Sequence, residues 1–344
     1  MKAAVIREFG GPEVFSYEDV RTPEPKADHL LVRVAACGIN RYDLYLRMGT
    51  MRTDQPKPHV MGADVAGNIE AIGANVTGFS AGDRVIVAPG FPTKREEWNF
   101  QPANQAPSYT VMGTVLWGGN AQYVEVPAQF CFPDPTDLPQ HEVASVPLVL
   151  VTAVHAVKCL GGVAPGQHVL VSAGASGSGS MCIQLAKVLG ADVATVVGSP
   201  EKIEVAKTAG ADLVIEYKRE NVAERVMDWT DGQGVDVVID MVGAAFFETN
   251  LKVLKLGGIF VNFGLVGGIE AKLNFRDLFF GQYQLKGSMM GTTEEFREGL
   301  GMLGAGMIKP ILDRTFPLKD VGAAHQYVQD KHVKGKVVLL PWEE

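Results

Sequence analysis

GQHVLVSAGASGSGSM, residues 166 to 181, decides the architecture. Residues 167 to 172 read as an apolar strand that runs into a Gly/Ser loop. Beyond the loop, Cys182, Leu185, Ala186 and Leu189 recur at i, i+3, i+4 and i+7, the period of a helix packed along one face. Glycines between a strand and a helix let the backbone approach a pyrophosphate, whose charge the helix N-terminus stabilises. Gly174, Gly177 and Gly179 give G-x-x-G-x-G, with Ser176 where the dinucleotide fingerprint has its middle glycine and Ser178 between the last two. An ordinary tight turn has the same composition, and it is the surrounding pattern that favours a cofactor loop.

That pattern extends downstream as the strands DVATVVG, DLVIEY, VDVVID and GGIFVNFG, alternating with helices such as SPEKIEVAKTAG and FFETNLKVLK. Strands and helices alternating at these lengths predict βαβ units and a doubly wound parallel sheet. An NAD-binding domain usually ends its second strand in Asp or Glu, which holds the ribose 2′-hydroxyl. Here that strand ends in Val196, Val197, Gly198 and Ser199, with Lys202 one helical turn on. A small-residue turn accepts a 2′-phosphate that a carboxylate repels, so NADP(H) is expected; Lys202 also reads simply as a solvated helix lysine.

Upstream the grammar differs. HLLVRVAACG, VAGNIEAIG, GDRVIVAPG and AQYVEVP are short strands bounded by Gly or Pro, as in an antiparallel barrel or sandwich. Residues 91 to 118 carry no period and read as an irregular surface lobe. Trp98, Tyr109 and Trp117 line a substrate pocket if it folds inward and pack on the surface otherwise. From about 315 the chain returns to short strands, ending in GKVVLLP. The expected organisation is a β-rich catalytic domain of residues 1–150 and 291–344, interrupted by a Rossmann domain of residues 151–290.

The chain has 344 residues, 47% hydrophobic and 20% charged, with net charge −8. The acidic balance and the lack of any Lys/Arg run argue against a nucleic-acid partner. Cysteines stand at 37, 131, 159 and 182 without a C-x-x-C pair, which points away from a zinc knuckle or redox dithiol and toward a reducing compartment. No stretch reads as a secretory signal or a membrane span, and a cytoplasmic protein is expected.

Taken together, GSPEKIEVAKTAGAD, GVDVVIDMVG, LKLGGIFVNFG, GSMMGT and GKVVLLP, with GADVAG, GDRV and AQYVEVP upstream, resemble the medium-chain dehydrogenase/reductase superfamily across essentially the whole chain. The resemblance implies a GroES-like β-barrel catalytic domain joined to a Rossmann domain, a cofactor in the cleft between them, a small-molecule substrate, and a homodimer or homotetramer. It also makes ACGINRYD (36–43) informative. Where zinc members carry a ligand cysteine this chain has Asn40, and Cys37 falls three residues early. The His-Glu of those enzymes corresponds to Ala63-Asp64, and a third ligand position is Leu148. The four-cysteine structural zinc lobe would fall between about 90 and 115, where no cysteine stands. Alanine and leucine have no donor atom and asparagine is a poor zinc ligand, so no metal is expected. The GSMMGT block and the long lobe are nonetheless more like the zinc-type alcohol dehydrogenases.

The implied activity is that of the zinc-free quinone oxidoreductase-like members: NADPH-dependent hydride transfer to a quinone or an α,β-unsaturated carbonyl compound. Alternatives are an alcohol or aldehyde oxidoreductase and a non-catalytic NADPH-binding protein. Asn40 is the expected hydrogen-bond donor to the developing oxyanion. Arg41 is read as a second such group or as half of a structural salt bridge. Tyr45 either contacts the nicotinamide, donates the proton, or packs on the barrel. The resemblance further places Tyr217 near the adenosine ribose, Thr152, Val242, Gly243, Phe263, Gly264, Gly287 and Ser288 at the nicotinamide half, and Lys336 at the cofactor's phosphates.

Overall fold

The computed structural model describes residues 1–51 and 53–343. The chain forms two compact units, one of residues 1–148, 292–305 and 309–344, the other of residues 149–291 and 306–308.

The long strand His29–Ile39 organises the first unit, because only a strand of this length can serve two neighbours on one edge. Its first half pairs with Tyr123–Pro127 and its second half with the last strand, Lys336–Leu340; the strand Asp64–Ile72 runs antiparallel along its other edge. A seven-stranded sheet results, completed by Arg84–Val87, Cys131–Pro133 and Leu312–Pro317. Register brings three distant segments to one place. Gly38 lies opposite Asp64 on one side and Val338 on the other, and Ile39 lies opposite Val337. Asn40, Asp64 and Lys336 therefore stand together at one end of three adjacent strands.

Two expectations need correction here. Residues 91 to 118 are not wholly irregular: Gly90–Pro92 pairs antiparallel with Tyr109–Val111, and Phe91 stacks on Phe130 at 4.7 Å. Trp98 packs edge-on against Phe130 and His29, and Trp117 joins a small cluster with Ala3, Val5, Val60 and Ala121. The return after 315 is not all strand either, since Val321–Gln329 is a helix that buries Val321, Ala324, His325 and Val328.

The second unit is a six-stranded parallel sheet in the order Leu213–Glu216, Asp192–Val197, His168–Val171, Val235–Asp240, Leu254–Asn262, Gln284–Gly287. This 3-2-1-4-5-6 order is the Rossmann arrangement, with the switch point where a ligand crevice forms. The three central strands, Asp192–Val197, His168–Val171 and Val235–Asp240, are largely buried on both faces, which explains their Val/Ile/Leu content; the outer strand Gln284–Gly287 is exposed.

Candidate active site

On the first unit, Asn40 follows the strand His29–Ile39 and is the N-cap of the helix Arg41–Met48. Its backbone N–H donates to Asp43 Oδ2 at 2.7 Å, while its side chain turns to the neighbouring strands. Nδ2 donates to Asp64 Oδ2 at 2.9 Å, and Oδ1 accepts from Lys336 Nζ at 2.6 Å. Lys336 also donates to Asp64 Oδ2 at 2.8 Å, closing a triangle. The other oxygen of Asp64 accepts the Leu148 N–H at 2.7 Å. Asp64 is wholly buried, and Asn40 and Lys336 are each 6% exposed. The cluster is thus an ammonium–carboxylate pair bridged by an amide, in a setting where such hydrogen bonds are strong only when fully matched.

Lys336 is the clearest correction to the sequence expectation: its ammonium is held by Asp64 and Asn40 rather than extended toward cofactor phosphates. Arg41 and Tyr45 are half-buried one helical turn apart, and burial raises the Tyr45 phenol above its usual range. Arg41 takes part in no salt bridge among the described residues, so the structural ion-pair alternative for it has no support. Cys37 is fully buried with its thiol pushed well up, inert as a bystander. His59 hydrogen-bonds the Gly113 carbonyl at 2.8 Å.

Asp43 carries a pH consequence. Oδ1 is buried without a partner, and burial raises the carboxyl from 3.8 to about 7, with Asp64 pushing the same way and the Asn40 N–H opposing. Between these values the folded chain holds a proton that the unfolded chain has released, so stability contributed here falls as pH rises from about 4 to 7. Asp43→Asn keeps an acceptor for the Asn40 N–H and removes the ionisation. It is expected to flatten the decline, with a gain at pH 8 of at most about 4 kcal/mol at roughly 1.4 kcal/mol per unit. Urea unfolding of both proteins at pH 5, 6, 7 and 8 checks this; parallel profiles would refute it.

On the second unit, the strand His168–Val171 leads through Ala173, at φ 54°, into the helix Gly177–Val188. Ser176 caps that helix by accepting the Gly179 N–H at 3.0 Å. The N–H groups of Gly177 and Ser178, at the first turn, have no intrahelical acceptor. A Cβ on Gly179 would lie 2.2 Å from the Ala173 carbonyl oxygen, so helix and loop meet at a distance only glycine allows. Gly174 sits in the same tight turn, its N–H donating to the Val196 carbonyl.

The carboxyl ends of the next strands are gathered by Asp240, a residue to which the sequence reading assigned no role. It is fully buried and accepts from Ser172 Oγ, Asn262 Nδ2 and the Gly243 N–H, each at 2.8 Å, and from the Val242 N–H at 3.2 Å. Val242 and Gly243 are thereby fixed, as is the neighbouring Phe263, whose N–H donates to the Asp240 carbonyl. Gly264 packs so closely on Met241 that a Cβ would lie 2.1 Å from its carbonyl oxygen. Ser288 follows, its N–H donating to the Asn262 carbonyl. Thr152 Oγ1 and Ser288 Oγ are both buried without a hydrogen-bond partner, and a Cβ on Gly287 would meet no atom within 4 Å. The two hydroxyls offer unused donors and Gly287 offers space at the same strand ends. At the other end, Tyr217 lies over Gly198 and packs edge-on against Phe246 at 5.2 Å. Ser199 donates to Glu201 at 2.5 Å, so a carboxylate lies beside the turn where none was expected; Lys202 is half-buried in the same turn.

Fold and crevice define a two-domain oxidoreductase, and comparison with known proteins agrees. The family described as alcohol dehydrogenase GroES-like domain matches residues 26–140, and that described as zinc-binding dehydrogenase matches residues 177–305. The quinone oxidoreductase of Pseudomonas aeruginosa is 31% identical over 97% of both chains, and the 2-haloacrylate reductase of a Burkholderia species is 30% identical over 98% of both. Among solved structures, an NAD-dependent alcohol dehydrogenase superimposes with a TM-score of 0.95 at 36% identity over 99% of both chains. A mycobacterial protein in complex with NADPH superimposes at 0.84 with 31% identity, over 99% of this chain and 100% of that one. The chain belongs to the medium-chain dehydrogenase/reductase family, as a quinone oxidoreductase-like member.

A nicotinamide cofactor fits the residues present: the helix start, the two orphaned hydroxyls and the open Gly287 offer donors and space. Zinc does not fit where the resemblance would put it. The positions similar to its ligands are Asn40, Ala63 and Leu148; of the carboxyls beside them, Asp64 has both oxygens engaged by Lys336, Asn40 and the Leu148 N–H, and Asp43 Oδ2 accepts the Asn40 N–H. A divalent cation there would meet an ammonium.

Proposed function

We propose that this protein is an NADPH-dependent, zinc-independent cytoplasmic reductase of quinones and α,β-unsaturated carbonyl compounds. The observation that carries the reading is the Asn40–Asp64–Lys336 triangle, which puts a rigid amide donor backed by a fixed positive charge where zinc members place their metal. Reduction of a simple carbonyl concentrates charge on one oxygen; a conjugated acceptor delocalises it and needs less stabilisation. Bound to the parallel-sheet unit, reduced nicotinamide supplies the hydride. In our reading the Gly177–Gly179 helix start binds its pyrophosphate, Thr152 and Ser288 orient its nicotinamide half, and Tyr217, Ser199 and Lys202 receive the adenosine end. Asn40 then donates to the acceptor oxygen as the β-carbon takes the hydride, and a solvent proton completes the reduction. The strand end Val197-Gly198-Ser199 carries no acidic residue of its own and Lys202 stands in the same turn, which supports NADPH, whereas the Glu201 carboxylate on Ser199 favours NADH.

NADPH consumption against benzoquinones, 2-alkenals and simple aldehydes tests this. Turnover of the conjugated acceptors is expected, and Asn40→Ala is expected to lower kcat about 100-fold, the usual effect of losing an oxyanion donor. Unchanged kcat in that variant, or turnover confined to simple aldehydes, would sink the reading. The second outcome would favour an alcohol or aldehyde oxidoreductase, the reading supported by the close superposition on an NAD-dependent alcohol dehydrogenase.

We further propose a homodimer. The outer strand Gln284–Gly287 lies beside the helix Phe275–Gly281, on which Phe275, Phe279 and Phe280 are 64–75% exposed. Exposed aromatic clusters beside an unpaired sheet edge mark interaction surfaces.

A further inference from the structure

We propose that Lys336 is a positioning residue for catalysis: it fixes the orientation of the Asn40 amide and polarises its free N–H. The proposal rests on the reading that Asn40 donates to the acceptor. An asparagine amide has two orientations, an acceptor end and a donor end, and its neighbours decide between them. Lys336 is donor-only and 2.6 Å from Oδ1; Asp64 is an acceptor 2.9 Å from Nδ2. Both neighbours demand the same orientation, and a flip would place donor against donor and acceptor against acceptor. One hydrogen of Nδ2 is spent on Asp64. The second has no protein acceptor among the described residues, which leaves it as a directed donor. An ammonium on the amide oxygen draws electron density from the nitrogen and strengthens that donor, as linked hydrogen bonds polarise one another.

The arrangement is rigid without help from substrate. Asp64 is held by the Leu148 N–H, Asn40 by Asp43, and all three side chains sit at the ends of strands in register. Asn40 also satisfies one of the ammonium's remaining protons, but a buried ion pair is a weak stabiliser even when so completed. The bond from Lys336 to Asn40 is the shorter of the ammonium's two.

The test is a mutant cycle on kcat with Asn40→Ala, Lys336→Met and the double variant, using the conjugated acceptor that wild type reduces fastest. Because Lys336→Met leaves Asp64 buried and unpaired, the neutral pair Asp64→Asn/Lys336→Met, with and without Asn40→Ala, runs alongside. Removing Lys336 is expected to lower kcat about 30-fold while the dissociation constant for NADPH stays within about twofold. In the background of Asn40→Ala the same change is expected to cost less than about twofold, because a residue acting through another loses its effect with it. Losses that multiply, or a kcat unaffected by losing Lys336, would overturn the proposal. A second readout does not depend on turnover: the Asn40 side-chain NH2 resonances, assigned by their absence in Asn40→Ala, are expected to shift and exchange faster in the Lys336 variants. Unchanged resonances would refute the proposed coupling. Absence of any wild-type turnover with shifted resonances would instead overturn the assigned reaction and leave the coupling standing.

Discussion

Asp240→Ala is expected to destroy both cofactor binding and much of the fold's stability. The carboxylate is the common acceptor for four donors from three strand ends: Ser172, Asn262 and the N–H groups of Val242 and Gly243. Deleting it leaves four donors without their acceptor, the Ser172 hydroxyl among them fully buried, and a buried donor that loses a charged acceptor costs about 1.5–3 kcal/mol. Partial relaxation holds the sum to about 3–5 kcal/mol, a large fraction of a typical domain's stability. The loops at Val242 and Gly264 then lose their reference point, and affinity for NADPH is expected to fall at least 100-fold by fluorescence titration. Asp240→Asn preserves size but turns one acceptor into a donor facing other donors, and belongs between wild type and alanine. An alanine variant binding NADPH within about twofold of wild type would show that the crevice is organised by something else.

The second large effect concerns glycines of opposite kinds. Gly179→Ala forces a methyl to 2.2 Å from a backbone oxygen, and neither the helix nor the loop behind Ala173 can yield without breaking the cap at Ser176. A loss of about 2–4 kcal/mol is expected, within the range of severe steric substitutions, together with loss of NADPH binding. Gly287→Ala meets no protein atom and adopts an ordinary backbone conformation. Its thermal midpoint should match wild type while its NADPH affinity drops, because the only thing the methyl displaces is a ligand. Equal affinity in Gly287→Ala and wild type would remove that strand end from the cofactor site.

The two units were legible in the sequence to different depths. Five strands of the Rossmann sheet were plain because the central ones are largely buried and rich in Val, Ile and Leu between helical periods, whereas the sixth, the exposed Gln284–Gly287, was not read as a strand. The helix Val321–Gln329 was missed although its buried positions keep helical spacing, because one of them is His325. Hydropathy scores that histidine as polar, yet burial holds it neutral, pushing its pKa down to about 3. Asp240 showed only as an acid ending VDVVID; its meaning depends on Ser172 and Asn262 in strands 68 and 22 residues away. Lys336 was misjudged for the same reason at greater range. Its contacts with Asn40 and Asp64 span 296 and 272 residues, and they follow from strand register, which a single sequence does not display. Ser199 is a subtler case: its turn was read without weighing the carboxylate of Glu201, two residues on, which lies at hydrogen-bonding distance.

The spine strand His29–Ile39 is finished by the last strand of the chain, and this sets a timetable for biosynthesis. At about 5–20 residues per second, roughly 15–60 s separate the emergence of Asn40 from that of its lysine. Throughout that interval the nascent barrel carries Asp64 with no counter-charge and an open sheet edge. Residues 149–291, by contrast, form one uninterrupted stretch that contains nearly all of the parallel-sheet unit. The unit translated in the middle can therefore mature before the one begun first, and a ribosome that stalls short of Lys336 releases a chain whose reaction centre was never assembled.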